Sequence, residues 1–308
     1  MKFPNFFIIG APKCGTTSLH AYLSDHPKIF MSNPKELAYF NTDQYNPLRP
    51  RSQAEYLSYF KGASSNHLRA GEASVAYLHS REAVSNILSF NKDALFIIMV
   101  RNNIDMARSL HGHFYYSAGI EDVEDFETAW RLQDVRRSGR YNGARTQDIS
   151  ELLYGEQCKL GADIQRVLQQ VPRNQVHVIV FDDMLRDPGT VYRSTLAFLE
   201  VPDDGRTDFD PRNVGGKPKF VFMQKVLHCA QAIRYQLPVR YLGLGLIEKL
   251  DQMNRSSDRT PALSSQFRAE LADYFREDIE LLSRLVGRDL SGWLEPGGRL
   301  EATKSTDG

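Results

Sequence analysis

The chain has 308 residues, of which 42% are hydrophobic and 25% charged, so it is long and apolar enough to bury a sizeable core. Its 38 Lys and Arg residues balance 38 Asp and Glu residues, and the resulting formal charge of zero predicts no general attraction to nucleic acid or to an anionic membrane. Any bound anion must therefore be held by a local site.

Neither a membrane span nor a leader peptide is predicted. The longest unbroken apolar runs, such as residues 95–100, are far too short to cross a bilayer, and no charged-then-apolar leader precedes the first predicted strand. The cysteines Cys14, Cys158 and Cys229 are widely spaced without a CxxC pair, which argues against a disulfide framework and against a zinc site. We therefore expect one domain over residues 1–295 and a reducing, cytoplasmic compartment.

Residues 6–23 run from an apolar stretch through a loop punctuated by Gly and Pro into apolar residues at helical spacing. That order predicts a strand, a phosphate-binding loop and a helix. Gly10 and Gly15 have the GxxxxG spacing of a loop that turns backbone N–H groups inward and ends at the positive end of a helix. Three hydroxyl side chains at 16–18 add donors, so we expect this loop to bind an anion.

The position of the lysine separates this loop from one that binds ATP. In nucleoside triphosphatases a Lys follows the second glycine directly, and the next Ser or Thr holds Mg²⁺. Here Thr16 follows Gly15, and the lysine lies within the loop as Lys13. Lys13 can reach a group leaving from the end of the anion. The Gly-Lys-Ser/Thr sequence that usually binds Mg²⁺ is missing. The loop therefore favours transfer of a less charged group, such as a sulfuryl, without a metal.

Strand and helix patterns alternate over the first 200 residues. Beyond the first unit, strands are predicted at 28–31, 69–74, 95–100 and 176–181. Helices are predicted at 53–60, 80–90, 124–137 and 147–170, and over 267–285 with an end at Gly287. Two more helices are predicted, one directly after the strand at 95–100 and one that begins at Asp187-Pro188. The alternation predicts an α/β fold, a P-loop-type three-layer arrangement with a mainly five-stranded parallel sheet flanked by helices. Segment 203–219 is predicted to be a loop, and the polar segment 296–308 a disordered tail.

Polar residues that follow the strands are the candidate ligands, because open parallel sheets bind ligands at the carboxyl ends of their strands. Arg101 follows the strand at 95–100, and Ser109 lies in the next helix. A guanidinium fork matches phosphate geometry, although a lone Arg after a strand is more often a surface charge. Glu36, a carboxylate next to Lys35, is the candidate base for an attacking alcohol, with an exposed charge pair as the alternative.

The segment Pro12-Lys13-Cys14-Gly15-Thr16-Thr17-Ser18-Leu19 resembles the 5′-phosphosulfate loop of the sulfotransferases, which use 3′-phosphoadenosine 5′-phosphosulfate (PAPS). The resemblance covers about residues 5 to 290. It implies that Lys13 stabilises the departing bridging oxygen, and that the hydroxyls of Thr16, Thr17 and Ser18 hold the 5′-phosphate together with the loop amides, including those of Cys14 and Gly15. The Cys14 thiol also lies where an electropositive loop can lower its pKa, although a packing role is favoured.

Two further segments carry the resemblance. Residues 101–109 resemble the family's 3′-phosphate motif, which implies that Arg101 and Ser109 bind the ribose phosphate, although the family usually has Pro where Asn103 stands. Lys35-Glu36-Leu37-Ala38-Tyr39-Phe40 resembles the Lys-Glu-x-x-x-Phe segment of heparan-sulfate-type and related bacterial members, in which that glutamate is the general base. Glu36 is thereby implied as the base.

Other assignments stay open. His111 and His113 are competing bases. Residues 215–219 loosely resemble a late basic loop over the 3′-phosphate, which would add Lys217 to the donor site, but a plain surface turn fits equally well. Residues 71–77 match a family segment that commonly reads Glu-Lys-Ser/Thr-Pro-x-Tyr, without its Lys and Pro, which argues against a highly sulfated polysaccharide acceptor.

The resemblance implies transfer of a sulfuryl group to a hydroxyl, with an amine less favoured. The acceptor can be a small molecule, a glycan or a carrier-tethered intermediate. One alternative is a P-loop small-molecule kinase, since residues 178–182 mimic a Walker B strand; another is a catalytically silent nucleotide-binding module. Several aromatic and histidine side chains either line an acceptor pocket or belong to the core: Tyr39, Phe40, Tyr77, His113, Phe114, Tyr115 and Tyr116.

Overall fold

The computed structural model describes residues 3–141, 143–144, 146, 148–210 and 262–298. The strands are β1 (Phe6–Gly10), β2 (Ile29–Met31), β3 (Arg69–Ala73), β4 (Leu95–Val100) and β5 (Val176–Val180). They form a five-stranded sheet in the order β2-β3-β1-β4-β5, and every neighbouring pair is parallel. The predicted α/β fold with a five-stranded parallel sheet flanked by helices is confirmed.

Helices connect these strands and follow the last of them. They are α1 (Thr16–Ser24), α2 (Gln53–Ser58), α3 (Ala83–Phe90), α4 (Asn103–His113), α5 (Phe126–Arg131), α6 (Gln133–Arg137), α7 (Tyr154–Gln157), α8 (Leu160–Leu168), α9 (Phe181–Arg186), α10 (Pro188–Phe198) and α11 (Ser265–Val286). A π-helical turn, Phe114–Ala118, follows α4. Among the described residues, no helix combines the length and apolarity that a membrane crossing requires.

The two apolar strands at the centre of the sheet are its most buried part. All residues of β1 are buried, and so are those of β4 after Leu95. Phe7 packs edge-on against Phe40 at 5.8 Å between ring centroids and lies 6.2 Å from the ring of Phe96. Continuous apolar strands of this kind are typical of a parallel sheet that is covered on both faces. The core therefore fixes the carboxyl ends of β1 and β4 side by side.

Two predicted helices are divided. Residues 124–137 form α5 and α6, and α5 begins at Phe126 because the Asp125 carboxylate accepts a hydrogen bond from Thr128 N. The helix predicted over 147–170 consists of a 3₁₀ turn, α7 and α8. Its α8 begins at Leu160, where the backbone N–H groups of the next two residues donate to the carboxylate of Asp278 on α11. That cap comes from a distant part of the chain, so local periodicity could not locate it.

The strand order places the connections that follow the strands at one edge of the sheet. The loop after β1 lies at the centre, segment 32–40 after β2 lies on one side beyond β3, and residue 101 after β4 lies on the other side. Several predictions fall outside the described residues: the loop at 215–219 with Lys217, the thiol of Cys229, and residues 299–308 of the predicted tail. The candidate site is therefore built from β1, β2, β3, β4 and the helices that follow them.

Candidate active site

The loop between β1 and α1 is held by backbone geometry. Ala11 N donates to Met99 O at 2.8 Å, which ties the start of the loop to β4. Lys13 and Gly15 both have positive φ, at 63° and 88°. Gly15 also leaves no room for a side chain, since a Cβ there would lie 2.7 Å from Cε2 of Phe181. A glycine is required at this turn for both reasons.

The loop ends at a helix N-terminus whose donors are arranged to attract an anion. The first hydrogen bonds of α1 run from Ser18 N and Leu19 N to Gly15 O, so the N–H groups at the preceding positions face the loop. The first turn of α1 has no acidic residue. Thr16 and Ser18 are buried and Thr17 is half-buried, and all three hydroxyl residues belong to the first turn of α1. These donors and the helix dipole together favour a bound anion.

Arg101 connects β4 to the same loop. Its Nη1 donates to Lys13 O at 3.1 Å, and its guanidinium lies over the ring of Phe181 at 5.0 Å from the centroid. The structure therefore brings together two residues that the sequence predicts at the donor site, Lys13 and Arg101. Ser109 lies on α4, half-buried, about one turn before its end.

Two more arginines surround this position, and neither was predicted. Burial lowers the pKa of Arg108; the Asp105 carboxylate opposes that shift, and the guanidinium groups of Arg268 and Arg101 add to it. Arg268, from α11, lies 3.6 Å from Asp105. Its Nε and Nη2 are buried and have no hydrogen-bond partner among the described residues. Arg108 and Arg268 therefore lie near one carboxylate, that of Asp105, and Arg101 adds a third positive charge that acts on Arg108, so cations are in excess beside α4.

Glu36 lies on the opposite side of the loop, in a turn with a left-handed backbone (φ 65°). Its N–H donates to Ala73 O at 2.8 Å, and its Oε2 accepts a hydrogen bond from Val75 N at 2.9 Å. The side chain is still 42% exposed, so the carboxylate can meet a molecule that approaches from solvent. The end of β3 therefore fixes both the backbone and the carboxylate of Glu36.

Lys35 connects the carboxylate to the loop. Its Nζ donates to Oε1 of Glu36 and also to Oγ1 of Thr16, the latter at 3.3 Å. The sequence placed Lys35 and Glu36 in one motif but indicated no contact with Thr16, because adjacency in sequence does not give the path of the turn. The predicted base and the predicted phosphate loop are thus joined through one ammonium group.

A second, buried carboxylate lies beneath this turn. Glu72 of β3 is fully buried, and it accepts hydrogen bonds from Tyr56 Oη (2.7 Å), Ser74 Oγ (2.5 Å) and Tyr77 Oη (2.8 Å). Burial raises its pKa to about 7, although the three hydroxyl donors oppose the rise. Two signals in the sequence mark Glu72, a charged residue in a short predicted strand and the leading Glu of the family segment at 71–77, but neither predicts its role.

The side chain of Cys14 points into the core. It is fully buried, with its Sγ 3.4 Å from Pro12 O and 4.0 Å from Met106 Sδ. Burial raises its pKa to about 12, and the charges of Arg101 and Lys13 only partly oppose this. The favoured packing role of Cys14 fits this burial, and the less favoured alternative of a lowered pKa does not hold, because desolvation outweighs the nearby cations. The thiol is a packing group, and only the backbone of Cys14 faces the loop.

The competing bases differ in their surroundings. His111 is buried, its Nε2 lies 2.9 Å from the carbonyl oxygen of Val123, and burial lowers its pKa. These contacts favour a structural role, with Nε2 as the donor to that carbonyl. His113 is half-buried at the end of α4, with its ring 5.8 Å from that of Phe114. His113 therefore remains the alternative to Glu36.

The aromatic candidates for an acceptor pocket separate into two groups. Phe40 and Tyr77 are buried core residues, and Tyr39 stacks on Tyr56 at 4.5 Å between ring centroids. The other group lies half-buried at the end of α4 and in the π-helical turn: His113, Phe114, Tyr115 and Tyr116. Turns of π-helix occur frequently at functional sites, which favours the second group as the acceptor-facing one.

Asp182, in the position that resembles a Walker B aspartate, has a structural partner. Its Oδ2 accepts a hydrogen bond from Trp293 Nε1 at 2.9 Å. Asn103, where the family usually has Pro, donates from Nδ2 to Cys158 O at 2.7 Å and to Asp278 at 2.9 Å. Both side chains therefore tie the strand ends to the C-terminal segment. Within the described ranges, no group of three or more His, Cys, Asp or Glu side chains is arranged to hold a metal ion.

A family model and a solved structure that resemble this chain are both those of sulfotransferases. The family model described as a sulfotransferase domain matches residues 3–209. The crystal structure of a sulfotransferase from Alicyclobacillus acidocaldarius is similar with a TM-score of 0.71 at 26% identity, and the match covers 96% of this chain and 100% of that one.

Among curated proteins, the bifunctional heparan sulfate N-deacetylase/N-sulfotransferase 3 of Homo sapiens is 30% identical over 310 residues, which cover 95% of this chain and 31% of that protein. A membrane-associated sulfotransferase of Dictyostelium discoideum is 32% identical over 113 residues, which cover 36% of this chain and 23% of that protein. The matches thus span a third or less of these two relatives. The family model, which covers more than half of the sequence, shows that the chain belongs to the sulfotransferase family, and this membership supports sulfuryl transfer as its reaction.

Proposed function

We propose that the chain transfers a sulfuryl group from PAPS to an acceptor hydroxyl by in-line displacement, with Glu36 as the general base. One observation carries the proposal: Lys35 Nζ joins the Glu36 carboxylate to Thr16 of the anion-binding loop. A base and a phosphate site are thereby held next to each other, as a direct transfer between two bound substrates requires.

The donor would be held at both of its phosphates. The loop amides and the hydroxyls of residues 16–18 would bind the 5′-phosphosulfate at the start of α1. Arg101 and Ser109 would bind the 3′-phosphate, and the guanidinium groups of Arg108 and Arg268 add positive charge at this end of the site. The buried nitrogens of Arg268 that have no partner among the described residues fit an anion of this kind.

In the proposed reaction, Glu36 acts on the attacking oxygen and Lys13 acts on the leaving oxygen. Glu36 would accept the proton of the acceptor hydroxyl as its oxygen forms a bond to sulfur. Lys13 would stabilise the negative charge that develops on the bridging oxygen as its bond to sulfur breaks. The exposure of Glu36 lets a small molecule, a glycan or a carrier-tethered acceptor approach. We propose a hydroxyl rather than an amine as the group that is sulfated.

The rival functions are less well supported. A P-loop kinase needs a metal seat, and here the Walker B-like Asp182 accepts a hydrogen bond from Trp293 instead. A silent binding module would not need a carboxylate fixed by Ala73 and Val75 beside the loop, as Glu36 is. Incubation with labelled PAPS and a panel of alcohols, phenols and sugars tests the proposal directly: acceptor-dependent release of 3′-phosphoadenosine 5′-phosphate supports it, and no release with any acceptor contradicts it.

Donor binding should discriminate a 3′-phosphate. Calorimetry is expected to give a Kd for 3′-phosphoadenosine 5′-phosphate well below that for 5′-AMP, because hydrogen bonds to a charged phosphate are worth about 1.5–3 kcal/mol. Arg101→Ala should reduce this preference by roughly 10- to 100-fold. Since Arg101 also donates to Lys13 O, some loss for both nucleotides is expected, and the ratio of the two Kd values is the readout.

Ser109→Ala is the companion variant for that experiment, because it removes the second proposed ligand of the 3′-phosphate. Ser109 lies on α4 rather than in the loop, so its loss should weaken binding of the 3′-phosphorylated nucleotide and leave the Kd of 5′-AMP unchanged. Equal losses for both nucleotides in both variants would remove Arg101 and Ser109 from the 3′-phosphate site.

Turnover should not require a divalent metal. The loop lacks the Gly-Lys-Ser/Thr corner that seats Mg²⁺, and the proposed charge stabilisation comes from Lys13. Initial rates with PAPS are expected to be the same with excess chelator as with added Mg²⁺. An obligatory Mg²⁺ requirement together with ATP as the phosphoryl donor would favour the kinase.

A further inference from the structure

Glu72 lies beneath the turn that carries Glu36, and its hydrogen bonds lead to that turn. The same oxygen, Oε1, accepts the protons of Ser74 Oγ and Tyr77 Oη. Each of these hydroxyl oxygens then has only acceptor capacity left. Glu72 therefore sets the orientation of two hydroxyl groups in the interior of the protein.

Those two hydroxyls hold the segment that follows Glu36. Ser74 Oγ accepts a hydrogen bond from Ala38 N at 2.9 Å. Tyr77 Oη accepts from Tyr39 N at 2.9 Å and from Phe40 N at 3.3 Å. Three successive backbone N–H groups in the 38–40 segment are thus satisfied by side chains that Glu72 orients.

The 38–40 segment needs such support because the backbone of this turn is unusual. Glu36 and Ala38 both have positive φ, at 65° and 49°, a region that non-glycine residues occupy at a cost. The turn also aims the Glu36 carboxylate at Val75 N, one residue beyond Ser74. The residues that accept from the 38–40 segment and the residue that donates to Glu36 therefore belong to one short stretch at the end of β3.

From this geometry we infer that Glu72 is a positioning residue for Glu36: by orienting Ser74 and Tyr77, it fixes the turn that presents the base to the acceptor. The inference rests on the proposed function, in which Glu36 is the base. What the turn requires of residue 72 is an acceptor oxygen at the place of Oε1. Its negative charge is not required.

This distinction gives a test by substitution at residue 72. In Glu72→Gln the amide oxygen can take the place of Oε1, while the amide nitrogen faces Tyr56, whose hydroxyl can turn to accept. We expect kcat close to that of the unaltered protein. Glu72→Leu has no acceptor and should lose kcat by up to about 10²-fold, with an unchanged Kd for 3′-phosphoadenosine 5′-phosphate. An equal loss of kcat in both variants would overturn the inference.

Two milder variants keep the test valid if Glu72→Leu does not fold. Tyr77→Phe removes the hydroxyl that accepts from Tyr39 N and Phe40 N, and it should lower kcat without changing the nucleotide Kd. Tyr56→Phe is the matched control, because it removes a hydroxyl from the same carboxylate, at Oε2, and keeps the ring that stacks on Tyr39. A loss of kcat in Tyr56→Phe as large as that in Tyr77→Phe would overturn the positioning role.

Combination with Glu36→Gln separates this inference from the proposed function. If Tyr77 acts through Glu36, most of the loss caused by Tyr77→Phe should disappear in the Glu36→Gln background. A different outcome would be that Glu36→Gln is slow and that Tyr77→Phe lowers kcat by the same factor in the unaltered protein and in Glu36→Gln. That outcome would overturn the positioning role and leave Glu36 as the base. Normal turnover of Glu36→Gln by itself would overturn the base, and the inference with it.

Discussion

Glu36→Gln is expected to lower kcat by roughly 10²–10⁴-fold and to leave the Kd for the donor nucleotide nearly unchanged. The amide keeps the shape of the side chain, and its oxygen can still accept from Val75 N, but it cannot take up a proton. The measurement is kcat with an unactivated alcohol, paired with calorimetry of 3′-phosphoadenosine 5′-phosphate.

Acceptors of graded hydroxyl pKa sharpen the test of Glu36. A phenol with a low pKa ionises readily, needs the base less, and should partly rescue Glu36→Gln. Near-normal turnover of this variant on an unactivated alcohol would show that the base lies elsewhere. His113, half-buried at the end of α4, would then be the next residue to replace.

The parts of the site that follow directly from local sequence could be predicted. The apolar run of β1, the glycine spacing and the hydroxyls at 16–18 each determine local geometry, and together they produce the loop and the start of α1. The continuous apolar run of β4 likewise places Arg101 at the same edge of the sheet. Neighbouring residues impose these features, so a single sequence contains the information.

Contacts between distant segments could not be predicted in the same way. Lys35 reaches Thr16 only because the turn after β2 folds back over the loop. The carboxylate of Glu72 is satisfied by Tyr56, which is 16 residues away, and no pattern in the sequence shows that the two side chains meet. Arg268 comes to α4 from the far end of the chain.

Cys14 illustrates a competition that sequence alone could not decide. The neighbouring cations Lys13 and Arg101 favour a low thiol pKa, and burial favours a high one. The outcome depends on whether the side chain points into the loop or into the core, and alternate residues of a tight loop differ in this respect. The structure places the thiol against Met106, in the core.

Lys13→Ala should impair both steps that involve the donor. The ammonium group is proposed to contact the ground-state phosphosulfate and to stabilise the bridging oxygen as it departs. Loss of a group that stabilises developing charge typically costs about 10²–10³-fold in kcat. We therefore expect a loss of that order together with a higher Kd for PAPS, whereas Glu36→Gln changes kcat alone.

The choice of acceptor distinguishes the two variants. An activated phenol makes the attacking oxygen easier to ionise but does nothing for the leaving group, so it should leave Lys13→Ala as slow as before. Lys35→Ala is the informative comparison, because Lys35 also reaches the loop, at Thr16 Oγ1, and contacts Glu36. One outcome is that Lys35→Ala raises the Kd for PAPS and stays slow with the phenol, whereas Lys13→Ala shows neither effect. That outcome would assign stabilisation of the leaving group to Lys35. The opposite result assigns it to Lys13, since Lys13 lies within the loop and Lys35 contacts the same loop from the turn after β2.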